Sequence, residues 1–379
     1  MKITAIALSV FELPATTRRF DLVAAGSPAD RRWRAKAQGS GKDIVQVMHV
    51  ETDEGIEGVS TVGDARYTAM RTEDLEELRL LALGADPFDR DMLDEKLHAA
   101  TRRLFTAQGW FGAFDNCLWD IAGKAAGLAV ANLLGRARDK APCYYNFFGK
   151  SLEAEIEDAQ KGLALGFPAL KDHFEGSGAE NVRAVTQARK ALGDEVDLLH
   201  DAAVTSYTFA EALSVGRALE ECRFRWFEEP LSDRDLSGLG RLCDALDIPV
   251  LGGETLMNDR ELSAHLLLSG SVDLLRGNAR HGTTPLVKLA HLAETMATRI
   301  ELNGPGGLFG LVHTHLCCAL RATTYYEFFP GGSRDERGKE IGLTNPPLPQ
   351  AGYIAPPTGP GWGAEWDWTY FKQKRVAVL

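Results

Sequence analysis

The fold is decided by three short stretches of the sequence: VDLLHDAA (residues 196–203), FRWFEEPL (224–231) and IPVLGGETL (248–256). Each is a short apolar run typical of a buried strand, and each leads to an acid: Asp201, Glu228 or Glu254. The acids follow one another at intervals of 27 and 26 residues, which leaves room for one helix between successive strands. The three stretches therefore predict strand–helix units whose strands run parallel in one sheet.

The same period continues on both sides of these stretches. Strand ends are predicted near Tyr145, His173, Asp201, Glu228, Glu254, Asn278, Asn303 and Glu327. From His173 to Glu327 the intervals are 28, 27, 26, 24, 25 and 24 residues. Amphipathic helices are expected between the strands, most clearly at 209–222, 237–246 and 285–297. Eight parallel strands with this spacing predict an α/β barrel.

The two ends of the chain lack the barrel period. Residues 1–10 and 44–58 have strand patterns, with a turn at 53–55, and residues 73–106 and 108–127 have helical periodicity. The polar, basic segment 24–42 is interpreted as a mobile loop. We therefore predict an α+β N-terminal domain (1–135), a barrel domain (136–344) and a C-terminal segment (345–379) that packs on the N-terminal domain.

Composition narrows the class of partner. The chain has 53 acidic and 42 basic residues, a formal net charge of −11, which argues against nucleic acid or an anionic membrane as a partner. It has no apolar run of about 18 residues that would span a membrane, and no signal-peptide pattern at its start. Its six cysteines include no C-x-x-C pair, so we expect reduced thiols and a cytoplasmic protein.

The carboxyl ends of barrel strands meet at one face, where barrel active sites lie. Because neighbouring strands are about 4.8 Å apart, Asp201, Glu228 and Glu254 can converge on one point. Three carboxylates there would repel one another, and a hard cation such as Mg²⁺ would relieve the repulsion. Alternatively, any one of these acids is a solvated loop residue or a helix N-cap. Glu229 is a rival ligand, although its side chain is expected to point the opposite way.

These residues resemble the metal site of the enolase superfamily, in its mandelate racemase-like branch. The matching segments are Asp201, WFEEP (226–230), GGE (252–254), TDEGIEG (52–58), DNCLWDIAGKAAG (115–127), LLGR (133–136), GFPALK (166–171) and PGWG (360–363). The resemblance implies a modified TIM barrel, (β/α)7β, under an α+β capping domain that the C-terminal segment completes. It also implies a small-molecule carboxylate substrate, a homo-oligomer, and one Mg²⁺ per chain held by Asp201, Glu228 and Glu254.

A candidate base lies in GFPALKDHFEG (166–176), where Lys171 and His173 are two residues apart and face the same side. The family pattern here is Lys-x-Lys, and its second Lys is the base. We therefore predict that His173 is the base, because an imidazole exchanges protons near neutral pH. Lys171 is expected to contact the substrate carboxylate. The alternative is that His173 is an ordinary loop histidine.

The opposite face of the predicted site has fewer candidates for a catalytic base. Some family members carry a second base, a His after strand seven paired with an Asp after strand six. Asn278 stands at the Asp position and Gly307, or a close neighbour, at the His position, so this dyad is absent. His281 is an alternative group for the site, whereas His313 and His315 fall in a predicted helix and are expected to be structural.

Further candidates for substrate contacts follow from the resemblance and from position. Glu327 matches the family's eighth-strand acid, and we predict that a protonated Glu327 holds the ene-diolate oxygen; the alternative is a simple pair with Lys171. Asn278 and Tyr207 are expected to offer polar contacts. Arg34, in a covering segment of the capping domain, is a candidate contact for a distal carboxylate or hydroxyl group; the alternative is a solvated side chain.

The predicted reaction is the dehydration of a sugar acid, an aldonate or aldarate, to a 2-keto-3-deoxy acid. One base suffices for this elimination, and Mg²⁺ on the substrate carboxylate would stabilise the ene-diolate that proton removal creates. A cycloisomerase or epimerase of a carboxylate substrate is the alternative enzyme. The other alternative is a metal-binding barrel without catalytic activity.

Overall fold

The N-terminal part is built on an antiparallel sheet. The computed structural model of the chain describes residues 1–14, 19–25, 32–38, 42–63, 69–203, 207–331 and 334–379. Strand β1 (Ile3–Pro14) pairs with a later strand, β4 (Lys42–Thr52), which turns back into β5 (Glu57–Val62). The predicted turn at 53–55 lies between β4 and β5.

Residues 19–38 contain a hairpin that is separate from this sheet. Strands β2 (Arg19–Ala25) and β3 (Arg32–Gln38) pair antiparallel, with Val23 opposite Arg34. The prediction of a loop at 24–42 is therefore wrong for residues 24–25, 32–38 and 42, whereas 26–31 and 39–41 lie outside the described residues. Residues 32–38 (RWRAKAQ) alternate polar and apolar residues, which is typical of a strand.

Four helices complete this part: α1 (Thr72–Ala82), α2 (Arg90–Leu104), α3 (Gly112–Ala126) and α4 (Val130–Leu134). The periodic stretch 73–106 forms two helices rather than one. Gly84 adopts a left-handed conformation with φ +80°, and Pro87 follows three residues later. Both residues disfavour a continuing helix, so the chain breaks between α1 and α2.

The predicted eight-stranded barrel is confirmed. Its strands are β6 (Ala141–Asn146), β7 (Ala169–Asp172), β8 (Asp197–Asp201), β9 (Phe227–Glu228), β10 (Val250–Gly252), β11 (Leu274–Gly277), β12 (Arg299–Leu302) and β13 (Tyr326–Phe328). The strands lie side by side in chain order from β6 to β12, and each pairs in parallel with its neighbours. Strand β13 pairs in parallel with the other edge of β6. The result is a nearly closed barrel, and each predicted strand end lies within two residues of the observed one.

Helices on the outside connect successive strands. They are α5 (Leu152–Ala164), α6 (Gly178–Leu192), α7 (Phe209–Glu221), α8 (Leu236–Ala245), α9 (Arg260–Leu268), α10 (Thr283–Thr295) and α11 (Leu311–Ala319). Capping boxes start two of them, through Ser177 with Glu180 and through Thr208 with Glu211. Among the described residues, every helix is too short or too polar to cross a bilayer.

The C-terminal segment touches both the barrel and the N-terminal sheet. Strand β14 (Tyr353–Ile354) pairs with β6, and β15 (Ala377–Val378) pairs with β1. Between them lies helix α12 (Trp368–Lys374), which buries Phe371 against Phe11. The fully buried Trp362 donates its Nε1–H to the carbonyl oxygen of Asn116 on α3 (2.8 Å). The domain limits at 135 and 344 remain our proposal.

Buried polar side chains of helix α3 form hydrogen bonds between the N-terminal part and the barrel. Asn116 Nδ2 donates to the Ala279 carbonyl oxygen (2.8 Å), and its Oδ1 accepts from the Thr283 N–H (3.1 Å). The two oxygens of Asp115 accept from the N–H and hydroxyl of Thr284, at 2.7 and 2.6 Å. Because these groups are buried, breaking the interface would leave them without partners, so the two parts are held in one arrangement.

Asp115 makes the stability of the fold depend on pH. Burial raises the pKa of Asp115 to about 6, although the hydrogen bonds from Thr284 favour the ionised form. The folded protein therefore holds a proton that the unfolded chain releases, and stability is lost as pH rises from about 4 to about 6. We expect Asp115→Asn to remove this loss, about 3 kcal/mol at most, as measured by urea unfolding across that pH range. Asp139→Asn at the surface is the control, and equal pH slopes for both variants would contradict the assignment.

Candidate active site

A cavity of about 1130 Å³ lies at the C-terminal ends of the barrel strands. Its polar lining includes Lys171, His173, Asp201, Glu229, Glu254, Asn303, Glu327 and Arg334. All but Arg334 stand at a strand end or within two residues of one. Parallel strands present their carboxyl ends at one face, so residues distant in the sequence meet here.

Lys171 on β7 lies at the centre of the charged groups. Its Nζ is 3.0 Å from Asp201 Oδ2 and 3.1 Å from Glu228 Oε2. It is also 2.9 Å from Glu327 Oε1. Burial disfavours the ammonium ion, but the carboxylates of Glu228 and Glu327 hold the pKa of Lys171 well above its ordinary value. Lys171 therefore joins three other strands of the barrel by ionic contacts.

Arg276 on β11 is a second buried cation, and it was not among the predicted site residues. Its Nε donates to Glu228 Oε1 (2.7 Å) and its NH2 group donates to the Tyr144 hydroxyl (3.2 Å). The same NH2 group is 3.8 Å from Glu327 Oε2. A sequence signal existed, because Arg276 stands two residues before Asn278 and so faces the same side of the strand.

Glu327 lies between two buried cations in the structure, which favours the ionised form of its side chain. Its Oε2 accepts a hydrogen bond from the Gly304 N–H (2.7 Å), in addition to the contact between Oε1 and Lys171. Burial opposes ionisation, but Lys171 and Arg276 hold the pKa of Glu327 well below its ordinary value. The structure shows Glu327 paired with Lys171, and its role toward the ene-diolate oxygen stays a prediction.

Glu228 lies beneath the cavity, and Glu229 lies in its wall. The fully buried carboxylate of Glu228 meets Lys171 and Arg276 and accepts from Trp226 Nε1 (3.3 Å). Glu229, the next residue, is left-handed with φ +46° and lines the cavity. The expectation that Glu229 points away is wrong, because it assumed that strand alternation continues through a residue that breaks it.

Acidic side chains of like charge meet around Glu229. Burial, and then the carboxylates of Glu254, Asp233 and Asp201, raise the pKa of Glu229 well above its ordinary value. Asp233 accepts a hydrogen bond from the Gly253 N–H (2.7 Å), which fixes the turn that carries Glu254. This side of the cavity therefore concentrates negative charge that a cation would stabilise.

The chemistry of the donor set suits a hard divalent cation. Asp201, Glu229 and Glu254 line the cavity and offer only oxygen ligands, which Mg²⁺ prefers. In the part of the chain that the structure describes, no three His, Cys, Asp or Glu side chains already form a metal site. Asp201 and Glu228 both face Lys171, so carboxylates would rotate on binding an ion. The predicted ligand trio of Asp201, Glu228 and Glu254 therefore stays a prediction.

His173 follows β7 and borders the cavity beside Lys171. Its Nε2 is 3.2 Å from Asp201 Oδ2, and its ring stacks on Phe148 with centroids 5.1 Å apart and planes 23° apart. Among the described residues, its Nδ1 is buried and has no hydrogen-bond partner. The ring is thus contacted by Asp201 at one nitrogen and by Phe148 on one face, and its role as base stays a prediction.

The other predicted substrate contacts differ in their placement. Asn278 is buried, and its Nδ2 donates a hydrogen bond to the carbonyl oxygen of Asn303 (2.8 Å). Of these two residues, Asn303 is the one in the described lining of this cavity. Tyr207 lines the cavity, and its hydroxyl group accepts a hydrogen bond from Asn181. The backbone of Arg34 lies in β3, whereas its side chain is outside the described residues.

The histidines near the missing dyad have other roles. Burial and the nearby Arg280 lower the pKa of His281 to about 3, so this ring stays neutral. His313 Nε2 accepts from the Ala279 N–H (3.0 Å), and His315 is fully buried in α11. His313 and His315 are therefore structural, as predicted.

Both parts of the chain match known families. Residues 33–135 match the family described as mandelate racemase/muconate lactonizing enzyme, N-terminal domain. Residues 154–370 match the family described as enolase C-terminal domain-like. The chain belongs to the enolase superfamily. The N-terminal match assigns it to the mandelate racemase/muconate lactonizing enzyme group, which confirms the resemblance of the sequence motifs.

Individual relatives are enzymes of sugar acids. L-talarate/galactarate dehydratase of Salmonella typhimurium LT2 is 33% identical over 258 residues, 65% of this chain and 63% of that protein. D-galactarolactone cycloisomerase of Agrobacterium fabrum is 29% identical over 270 residues, 67% of this chain and 69% of that protein. The crystal structure of D-glucarate dehydratase from Agrobacterium tumefaciens complexed with magnesium superposes with a TM-score of 0.81 at 27% identity, and all of both chains is covered.

Replacing Arg276 should destabilise the barrel. Arg276→Met removes one cation from the buried Glu228, and breaking a buried ion pair in this way costs about 3–5 kcal/mol. Arg276→Lys keeps the charge and should cost less, although it loses the paired hydrogen bonds of the guanidinium. Urea unfolding at pH 7 measures both. The control is Arg217→Met, which breaks the exposed ion pair with Glu220 and should lower the free energy of unfolding by less than about 1 kcal/mol. An equally small loss of stability in Arg276→Met would contradict the stabilisation of Glu228 by Arg276.

Proposed function

We propose that this enzyme removes the proton α to the carboxylate of a sugar acid and dehydrates the acid to a 2-keto-3-deoxy acid. The observation that carries the proposal is the position of His173 beside Lys171, at a cavity that Asp201, Glu229 and Glu254 also line. The relatives are dehydratases and a cycloisomerase of such acids, which supports a lyase, with an isomerase as the alternative.

The proposed cofactor is one Mg²⁺ per chain, held by Asp201, Glu228 and Glu254. The oxygen donors of the cavity support it, as does the magnesium in the related D-glucarate dehydratase. Bound Mg²⁺ would supply positive charge to the substrate carboxylate and so make the α-proton more acidic. Glu229 borders the same place and is a competing ligand.

The side chains present can carry the proton transfers. Lys171 would bind and orient the substrate carboxylate, because its ammonium group already contacts carboxylates at the cavity floor. His173 would accept the α-proton, and the electrons of the broken C–H bond would form a C=C bond as the β-hydroxyl group leaves. His173 would then return the proton to the leaving hydroxide, which departs as water. The enol product tautomerises to the 2-keto acid.

Cycloisomerisation is the second candidate, because it too needs a base on one face only and one relative is a cycloisomerase. Epimerisation by two opposed bases has less support, since His281 lines a different cavity and His313 Nε2 accepts from the Ala279 N–H. A barrel that binds a metal without catalysis is the remaining alternative. A homo-oligomeric assembly and a cytoplasmic location stay predictions.

The base is tested with a panel of aldonic and aldaric acids in the presence of Mg²⁺. We expect wild type to form a 2-keto-3-deoxy acid and His173→Ala to lower kcat about 10²–10⁴-fold, because a general base contributes on that order. His291→Ala on the exposed face of α10 is the control. Exchange of the α-proton for deuterium without loss of water would favour the isomerase. Unchanged kcat in His173→Ala would reject His173 as the base.

The ligands are tested by calorimetric titration with Mg²⁺ alone. Glu254→Gln should weaken binding at least about 10-fold, because a neutral amide is a poorer ligand for a hard cation. Comparison of Glu228→Gln with Glu229→Gln decides which of the two adjacent acids is the third ligand. Glu157→Gln, on the exposed side of α5, should bind like wild type. If neither Glu254→Gln nor Glu228→Gln weakens binding, the proposed trio is rejected.

A further inference from the structure

His173, the proposed base, lies in a turn after β7 whose backbone is fixed by hydrogen bonds. The N–H of Phe174 donates to Asp172 Oδ1 (3.2 Å), and the carbonyl oxygen of Phe174 accepts from Asn181 Nδ2 (3.0 Å). Asn181 Oδ1 also accepts from the N–H of Gly176 (3.1 Å). Asp172 and Asn181 are buried, so these bonds are shielded from water. The backbone around His173 is thus held, and the freedom that remains to the base lies in its side-chain torsions.

The ring of Phe148 restricts those torsions. It lies on one face of the His173 imidazole, with centroids 5.1 Å and planes 23° apart. Aromatic pairs favour such offset packing at centroid distances of about 4.5–7 Å. At the edge of the same imidazole, Nε2 lies 3.2 Å from Asp201 Oδ2. A contact on the face and a contact at the edge together fix the plane of the ring and the directions in which its nitrogens point.

The backbone of Phe148 is held in place, although its side chain is 48% exposed. Its N–H donates to Asp158 Oδ2 on α5 (3.2 Å). A Cβ added at the next residue, Gly149, would lie 2.4 Å from the backbone nitrogen of Glu155, so glycine permits the close approach of this loop to α5. The loop after β6 therefore presents the Phe148 ring to the cavity, in whose lining it lies.

A second ring stacks on Phe148. Phe329 is buried in the loop after β13, and its plane lies 19° from that of Phe148, with centroids 6.5 Å apart. The guanidinium carbon of Arg334 lies 3.4 Å from the centroid of the Phe329 ring, which is a cation–π contact. Successive stacking contacts thus link four groups that all line the cavity, which we call the aromatic stack: Arg334, Phe329, Phe148 and His173.

Orientation matters for a base, because the accepting nitrogen has to lie close to the proton that it removes. A misplacement of about 1 Å can slow a reaction about 10²-fold. In the proposed function the substrate carboxylate lies at Lys171, so its binding does not depend on Phe148. Loss of the stacked ring would therefore slow the proton transfer more than it would weaken binding.

We propose that Phe148 is a positioning residue for the base. By stacking on His173 it sets the plane of the imidazole, and Phe329 with Arg334 supports it from the loop after β13. The inference rests on the proposed function, because it concerns the base of that reaction. It assigns Phe148 no contact with the substrate, which separates it from a ring on which the substrate itself would stack.

The kinetic test compares Phe148→Leu, which removes the flat ring, with Phe148→Tyr, which keeps it. On the best acid of the panel, Phe148→Leu should lower kcat about 10–100-fold and leave KM within about 2-fold of wild type, because orientation acts on the transition state. Phe148→Tyr should keep kcat within about 3-fold of wild type, because it can stack in the same way. A raised KM with unchanged kcat in Phe148→Leu would make Phe148 a substrate contact and overturn the proposal.

The matched control is Phe88→Leu, because Phe88 is 49% exposed and lies between α1 and α2, away from the barrel cavity. It should leave kcat and KM unchanged. Urea unfolding of the two Leu variants should give similar midpoints, since both side chains are half exposed. If Phe148→Leu unfolds at a clearly lower urea concentration and Phe148→Tyr fails to keep kcat, the ring supports the loop rather than the base, and the proposal is overturned.

Proton NMR of the histidine rings tests the contact without substrate, at one alkaline pH. The ring-proton resonance of His173 is assigned by its absence in His173→Gln. Because a proton over the face of an aromatic ring is shielded, this resonance should lie upfield in wild type and in Phe148→Tyr. In Phe148→Leu it should move downfield, and an unmoved resonance would overturn the inference.

Failure of this inference is distinguishable from failure of the proposed function. If wild type dehydrates no acid, the proposed function fails, whatever the position of the His173 resonance. If wild type is active but neither kcat nor the resonance responds to Phe148→Leu, the inference alone fails. A downfield resonance together with a lowered kcat in Phe148→Leu supports both.

Discussion

The structure depends on the burial of three carboxylates at the top of the barrel. Asp201, Glu228 and Glu327 are each at most 5% exposed, and anions without partners would be costly there. Lys171 and Arg276 make the arrangement stable, because each contacts more than one strand. The charged groups thus act as a layer of the core. The layer below is apolar, with side chains such as Leu199 and Leu251 inside the barrel.

The barrel was predictable because the sequence repeats one strand and one helix at a regular spacing of residues. The site was predictable only in part, because strand alternation tells on which face of a strand a side chain lies but not which residues it contacts. Alternation would have found Arg276 from Asn278, yet it failed at Glu229, where a left-handed residue turns the chain. It also gave no reason for Asn278 to bind Asn303 instead of facing the cavity. The pairing of β2 with β3 was missed because the Gly, Pro and basic residues of the segment indicated a loop, although residues 32–38 alternate polar and apolar residues.

The contact between α3 and the barrel links the fold to the site. Asp115 and Asn116 hold the helix against the turn that follows β11, and the tight approach of Gly112 leaves no room for sliding. The turn carries Arg280 and His281, so the contact with α3 also fixes where these two residues lie relative to the strand ends of the barrel.

Acidic side chains outnumber basic ones at the candidate site. The carboxylates of Asp201, Glu228, Glu229, Glu254 and Glu327 meet the cations Lys171, Arg276 and Arg334. Burial, and then the carboxylates of Glu254, Asp233 and Asp201, raise the pKa of Glu229. A divalent ion would offset most of the excess negative charge on this side of the cavity. Arg276 supplies positive charge deeper in the barrel, where it stabilises Glu228 and leaves the cavity open to substrate.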